Sequence, residues 1–143
     1  MTADARAVEL TRAAADAARD KLAQDVLAFD VSEQLALTDV FLLCSAANDR
    51  QVKAIQDAVE ERLIELSAKP VRREGEREGR WVLLDFGDIV VHIQHAEERV
   101  YYALERLWSD CPVIDLPDAS VVDSPASGRY PQAPEAPSRP LRS

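Results

Sequence analysis

Residues 80–93 carry two strand-like apolar runs, RWVLLD and DIVVHI, separated by Phe86-Gly87. Gly87 supplies the positive φ that a tight hairpin turn demands, so the segment predicts two antiparallel strands. A two-residue turn at Phe86-Gly87 sets Asp85 against Asp88, Leu84 against Ile89, Leu83 against Val90, Val82 against Val91 and Trp81 against His92. Facing residues share a side of the sheet. One side is then Val82, Leu84, Ile89, Val91 and Ile93, wholly aliphatic, as a sheet packed under helices requires. The other side is Trp81, Leu83, Asp85, Asp88, Val90 and His92, an aromatic anchor mixed with charge. That composition fits a partner-binding patch; the alternative is a cover formed by the N-terminal helix or by a twin subunit.

The flanking segments supply the helices. Residues 2–22 are rich in Ala, with Val8, Ala15 and Leu22 at heptad spacing and Ala14 and Ala18 alongside, which predicts an amphipathic helix able to lie close to a sheet. Residues 26–31 and 40–44 are short, partly β-branched runs and predict two buried strands. Asn48 stands three residues before Gln51, a pair resembling a capping box, and Val52, Ile55, Val59, Leu63 and Leu66 follow at helical steps until Pro70. Residues 71–79 are polar and punctuated by glycine, a short strand or an exposed loop. Residues 97–108 predict a last helix with Val100, Leu104, Leu107 and Trp108 on one face, ended by Asp110-Cys111-Pro112. This order predicts an α/β layer fold, a mixed sheet of four or five strands packed with three helices.

Seven of the eight prolines lie at or beyond Pro112, and residues 124–143 hold almost no large aliphatic side chain. Such a segment cannot bury enough apolar area to offset its ordering entropy, so the domain is expected to span 1–116, with a flexible Pro-rich tail over 117–143. With 17 Lys and Arg against 26 Asp and Glu, a formal charge of −9, the chain lacks the basic field that phosphate backbones attract. Direct grip on DNA or RNA is therefore not expected, and any nucleic-acid link runs through a protein. No apolar run approaches the roughly 18 residues of a membrane span, and the charged N-terminal region has no signal-peptide core, so the expectation is a soluble, cytoplasmic chain without membrane contact. Cys44 and Cys111 make neither a disulfide framework nor a metal knuckle.

Catalytic patterns are weak. His92 and His95, with Asp85, Asp88 and Glu97 nearby, have ligand chemistry suited to zinc or iron, but a separation of three along a strand points the two rings to opposite faces. Ser45 precedes the Asn48-capped helix, yet no glycine opens the backbone to a phosphate and no lysine follows in phosphate-loop spacing, so Ser45 and Asn48 read as caps. The run 72–78 alternates in sign and reads as a solvated rim. No metal and no cofactor are expected.

The segments DVFLLC (39–44), DRQV (49–52), Glu74-Gly75, WVLLDFGDIVVH (81–92) and RVYYALERLW (99–108) together closely resemble the ribosomal silencing factor family, also called Iojap-related proteins. The resemblance runs from about Ala7 to Pro112 and rests on a long, specific block. It implies a nucleotidyltransferase-like topology and a non-enzymatic function. Family members bind the fourteenth protein of the large ribosomal subunit, block joining of the small subunit and damp translation under nutrient limitation; they also form dimers. The matching positions are Trp81, Asp85, Gly87, Asp88, His92, Tyr102, Glu105 and Trp108. Combined with the hairpin faces, this makes Trp81, Leu83, Asp85, Asp88, His92 and Tyr102 the expected partner-binding residues, with Leu104 and Trp108 as core and Gly87 as turn geometry. The competing class is a metal-dependent nucleotidyltransferase or hydrolase using Asp85 and Asp88. Against it, Ser45 lacks the glycine of the transferase turn, and Asp85-Phe86-Gly87-Asp88 is not the transferases' D-x-D pair.

Overall fold

Asp4 opens the first helix by accepting from the backbone N–H groups of Arg6 and Ala7 at 2.7 and 3.1 Å, which satisfies two donors that a helix start leaves free. In this computed structural model, which describes residues 3–117, the elements run α1 (Ala5–Asp20), β1 (Gln24–Asp30), β2 (Val40–Ala46), α2 (Asp49–Glu65), β3 (Arg72–Glu74), β4 (Trp81–Asp85), β5 (Ile89–His95), α3 (Ala96–Tyr102) and α4 (Leu104–Leu107). The tail expected beyond 117 lies outside the described residues. The strands form one mixed sheet in the order β1-β2-β5-β4-β3, with β2 and β5 parallel and the other neighbours antiparallel. This is the α/β architecture that the sequence predicts.

Both long helices lie on one face. Ala7, Leu10, Ala14 and Ala18 of α1 and Val52, Ile55, Val59 and Leu63 of α2 are buried against Leu42, Cys44, Val82, Leu84, Val91 and Ile93 of the sheet. The alanines bring α1 close to the strands, and each larger aliphatic chain sealed here contributes about 1.5–3 kcal/mol of burial. Asn48 Oδ1 accepts from Gln51 N at 2.9 Å, while Gln51 Oε1 accepts from Ala47 N at 2.6 Å, so the reciprocal cap of α2 closes one residue earlier than in a capping box. Ser45 is not a cap: β2 continues through it to Ala46.

The β4–β5 hairpin departs from the expected register. Trp81 pairs with Gln94, Leu83 with His92 and Asp85 with Val90, two positions along from the prediction. Phe86 N donates to Ile89 O at 2.9 Å, so the two-residue turn is Gly87-Asp88. Gly87 has φ +90° while Asp88 has no positive φ, the pattern of a type II′ turn with glycine at its first central position. Moving the turn by one residue shifts the pairing by two, an even number, so every side chain keeps the predicted face.

The last helix is not continuous. Ala103 takes φ +45°, ψ +51° and breaks the expected 97–108 helix into α3 and α4. Val100 and Leu107, predicted to share a buried face with Leu104 and Trp108, are exposed instead, while Leu104 and Trp108 pack on Phe29, Val31, Leu43 and Cys111. The chain after Trp108 then runs antiparallel beside β1: Asp30 N donates to Pro112 O at 2.8 Å and Ile114 N to Ala28 O at 2.9 Å. This strap covers the β1 edge. The opposite edge, β3, is three exposed charged residues long, a short charged edge that resists pairing with other chains.

Candidate functional site

The second face of the sheet carries Leu27 and Phe29 of β1, Phe41, Leu43 and Ser45 of β2, Val90, His92 and Gln94 of β5, and Trp81, Leu83 and Asp85 of β4. Over β1 and β2 it is closed by Leu104, Trp108 and Cys111. Over β4 no helix lies on it, and Trp81, Leu83 and Asp85 remain half-buried. The N-terminal helix, offered above as an alternative cover, occupies the other face.

Aromatic rings connect the two ends of this face. Tyr101 meets Tyr102 edge-on with centroids 4.9 Å apart, Tyr102 stacks at a tilt on Trp81 at 4.7 Å, Phe41 meets His92 at 5.0 Å, and Phe41 meets Trp108 at 5.0 Å. The remaining link is polar: Trp81 Nε1 donates to His92 Nδ1 at 3.2 Å. Because Nδ1 accepts, a neutral His92 carries its proton on Nε2, and burial holds it neutral by pushing its pKa down to about 4. His92 is only 5% exposed, so it positions the Trp81 ring and offers a partner little surface of its own. Trp81, His92 and Tyr102 are thus brought together, with Leu83 opposite His92 in the strand pair.

Asp85 and Asp88 behave differently. Asp85 Oδ1 accepts from Gly87 N at 2.8 Å and its other oxygen lies 3.5 Å from Arg72 Nη2, which assigns the carboxylate to the turn and to an ion pair. Asp88 is exposed in the turn itself, its carbonyl accepting from Asp39 N and Val40 N. Among the described residues, the group of histidine and acidic side chains close enough to share an ion is His95, Glu97 and Glu98. There Arg80 already binds Glu97 at 2.7 Å and Glu98 at 2.9 Å, and holds the Glu98 carboxyl below the usual range.

Two positions escaped the sequence reading. Arg99 is buried; its Nη1 donates to Ser45 Oγ at 3.0 Å and its Nε to Glu105 at 3.1 Å, which fixes α3 to β2 and joins α3 to α4 across the break at Ala103. An arginine inside a helical run carries no signal that it points inward. Gly75 lies in a polar run with no sign of a packing role, yet at φ +83° a β-carbon there would overlap the Trp81 carbonyl, so glycine is what lets the 75–79 loop pass behind the aromatic site. Cys44 lies under the helices, its pKa pushed up to about 12 by burial, and is an inert thiol.

Comparison with known proteins gives the family. The sequence profile described as "Ribosomal silencing factor during starvation" matches residues 4–140. The Ribosomal silencing factor RsfS of Bacillus subtilis is 43% identical over 107 residues, 75% of this chain and 91% of that protein. The chloroplastic protein Iojap of Zea mays is 30% identical over 114 residues, 80% of this chain and 50% of that protein. A crystal structure of a Bacillus halodurans protein, 39% identical, superposes with a TM-score of 0.67 over 76% of this chain and 98% of that one. By profile, by sequence and by fold, the chain belongs to the ribosomal silencing factor family.

Proposed function

We propose that this protein represses translation by binding the large ribosomal subunit at its fourteenth protein and occupying space the small subunit needs for joining, so lowering translation under nutrient limitation. The observation that carries this reading is the Trp81–Tyr102 pair: a half-buried indole on β4, where the sheet face is left open, and an exposed ring from the end of α3 stacked on it, with a neutral buried histidine bonded to the indole. Rigid aromatic side chains whose position is set before contact are what protein interfaces use as anchors. The family's role in silencing ribosomes supplies the partner class. A charge of −9 suits a basic ribosomal protein, and association weakens as salt rises.

On this reading binding energy alone does the work, in the cytoplasm, with no metal and no cofactor. The Asp85 carboxylate, committed to Gly87 N and Arg72, gives a metal-dependent reaction no specific support. Off the ribosome the same apolar surface suits a homodimer, which binding would have to dissociate. The test is subunit joining: purified protein incubated with large subunits should prevent their assembly with small subunits, and Trp81→Ala should pellet with large subunits at least tenfold more weakly. Undiminished pelleting of a folded Trp81→Ala chain would place the interface elsewhere.

A further inference from the structure

The outer side of α3 is exposed and apolar. Val100 is 79% exposed, Tyr101 81% and, beyond the break, Leu107 71%, and an open apolar depression of about 500 Å³ is lined by Ala96, Glu97, Val100 and Tyr101. Exposed aromatic and aliphatic groups gathered in this way mark a surface that something covers. Tyr101 and Tyr102 stand at 88° to each other, their rings meeting edge to face.

The chain itself carries a matching segment. Pro131, Pro134, Pro137 and Pro140 recur at every third residue, and Tyr130, Leu141 and Arg142 flank them. A polyproline II helix has three residues per turn, so prolines at this spacing would share one ridge in that form, and such ridges dock in shallow aromatic-lined grooves at small entropic cost. Charge favours the same pairing: residues 124–143 hold three arginines and one glutamate, while the residues before 118 account for the whole −9.

The path is short. The strap after Pro112 runs antiparallel to β1, hence in the direction of β2 and β5, and leaves the body at the end of the sheet where α3 begins. Arg19 at the end of α1 holds it there by donating to the Leu116 carbonyl at 2.9 Å. From the strap across β1 and β2 to β5 is three strand spacings, about 15 Å, whereas residues 118–130 extend to roughly 45 Å. A tether of that length keeps the segment at an effective concentration on the order of millimolar.

We propose that residues 131–142 dock, within the same chain, on the apolar outer face of α3, and so compete with a partner for the adjoining Trp81–Tyr102 surface. The contact stands on the observations above; the competition rests on the docking reading of the preceding section. A nitroxide on Ser138→Cys reports the contact in the full-length chain, because Cys44 and Cys111 are buried and leave the new thiol selectively reactive. Amide signals of Ala96, Glu97, Val100 and Tyr101 should lose at least half their intensity while that of Leu63 does not, and either Tyr101→Ser or replacement of the four prolines by alanine should restore them. Unbroadened α3 signals would overturn the contact. Equal broadening when the nitroxide sits on a separate, isotopically silent copy would overturn it in favour of a second chain. In pelleting with large subunits the four-alanine chain should bind three- to tenfold more tightly than the parent; equal affinity would overturn the competition. Failure of both chains to pellet removes the ribosomal reading and the competition with it, and leaves the relaxation measurement to decide the contact.

Discussion

The two faces of the sheet are built to different standards. Under α1 and α2, Leu42, Leu84, Val91 and Ile93 are sealed among aliphatic neighbours. On the reverse, the same strands present Trp81, Leu83 and Asp85 half-exposed, with His92 Nε2 and the Gln94 amide buried and without a hydrogen-bond partner among the described residues. A face made only for stability does not keep unpaired polar atoms, each of which costs about 1–3 kcal/mol. The contrast teaches that one side of this sheet holds the molecule together and the other holds a set of rings in place.

The sharpest way to break that comparison is to truncate one residue on each face. Ile93→Ala removes a fully buried side chain from the helix side and should cost about 2–5 kcal/mol in chemical denaturation, with ribosome binding lost only in proportion to unfolding. Trp81→Ala should do the reverse, costing less stability but at least about 1.4 kcal/mol of binding, a tenfold weakening. Similar stability losses with no difference in binding would mean that the two faces play the same part.

Acid should separate the faces next. Folded His92 resists protonation down to about pH 4, whereas in the unfolded chain it titrates near its ordinary 6.5. Between those values the unfolded state binds more protons, so the contribution is fully present above 6.5 and is lost as pH falls towards 4, about 3 kcal/mol in all. His92→Phe keeps a ring in place and cannot titrate. Denaturation at pH 7 and pH 4 should therefore show a loss about 3 kcal/mol greater in the parent than in the variant, and parallel losses would show that the imidazole reaches solvent.

How much of this was legible in advance follows the same division. The helix side could be read because burial imposes a period: Val52, Ile55, Val59 and Leu63 at helical steps, and Val82, Leu84, Val91 and Ile93 in alternation, fix faces even when the hairpin turn is placed one residue early. The aromatic side was legible only as a composition. Trp81 and His92 could be placed on a common face, but their hydrogen bond depends on a register set by Gly87 sitting first in the turn. The broken last helix was hidden for a chemical reason: Ala103 is a strong helix former with no local sign of a left-handed conformation, and the groups that secure the break, Ser45, Arg99 and Glu105, are distant in sequence or mute in type. The helical period therefore places Val100 and Leu107 in a core they do not enter.

Gln94 provides the finest distinction. Its side chain is fully buried on the aromatic face, beside Ser45 and opposite Trp81, and both its amide oxygen and nitrogen lack partners among the described residues. Leucine has nearly the same shape without the polar atoms, so Gln94→Leu removes a desolvation cost and leaves the packing intact. The expected result is a gain of about 1 kcal/mol in stability, read as a higher urea midpoint at unchanged slope. The buried polar groups of the helices are paired instead: Thr11 Oγ1 donates to Ala7 O at 2.7 Å and Gln56 Nε2 to Glu76 at 2.6 Å, so the comparable exchange there should cost stability. A loss of stability in Gln94→Leu would show that the amide is paired in solution, and the two faces would then differ in exposure alone.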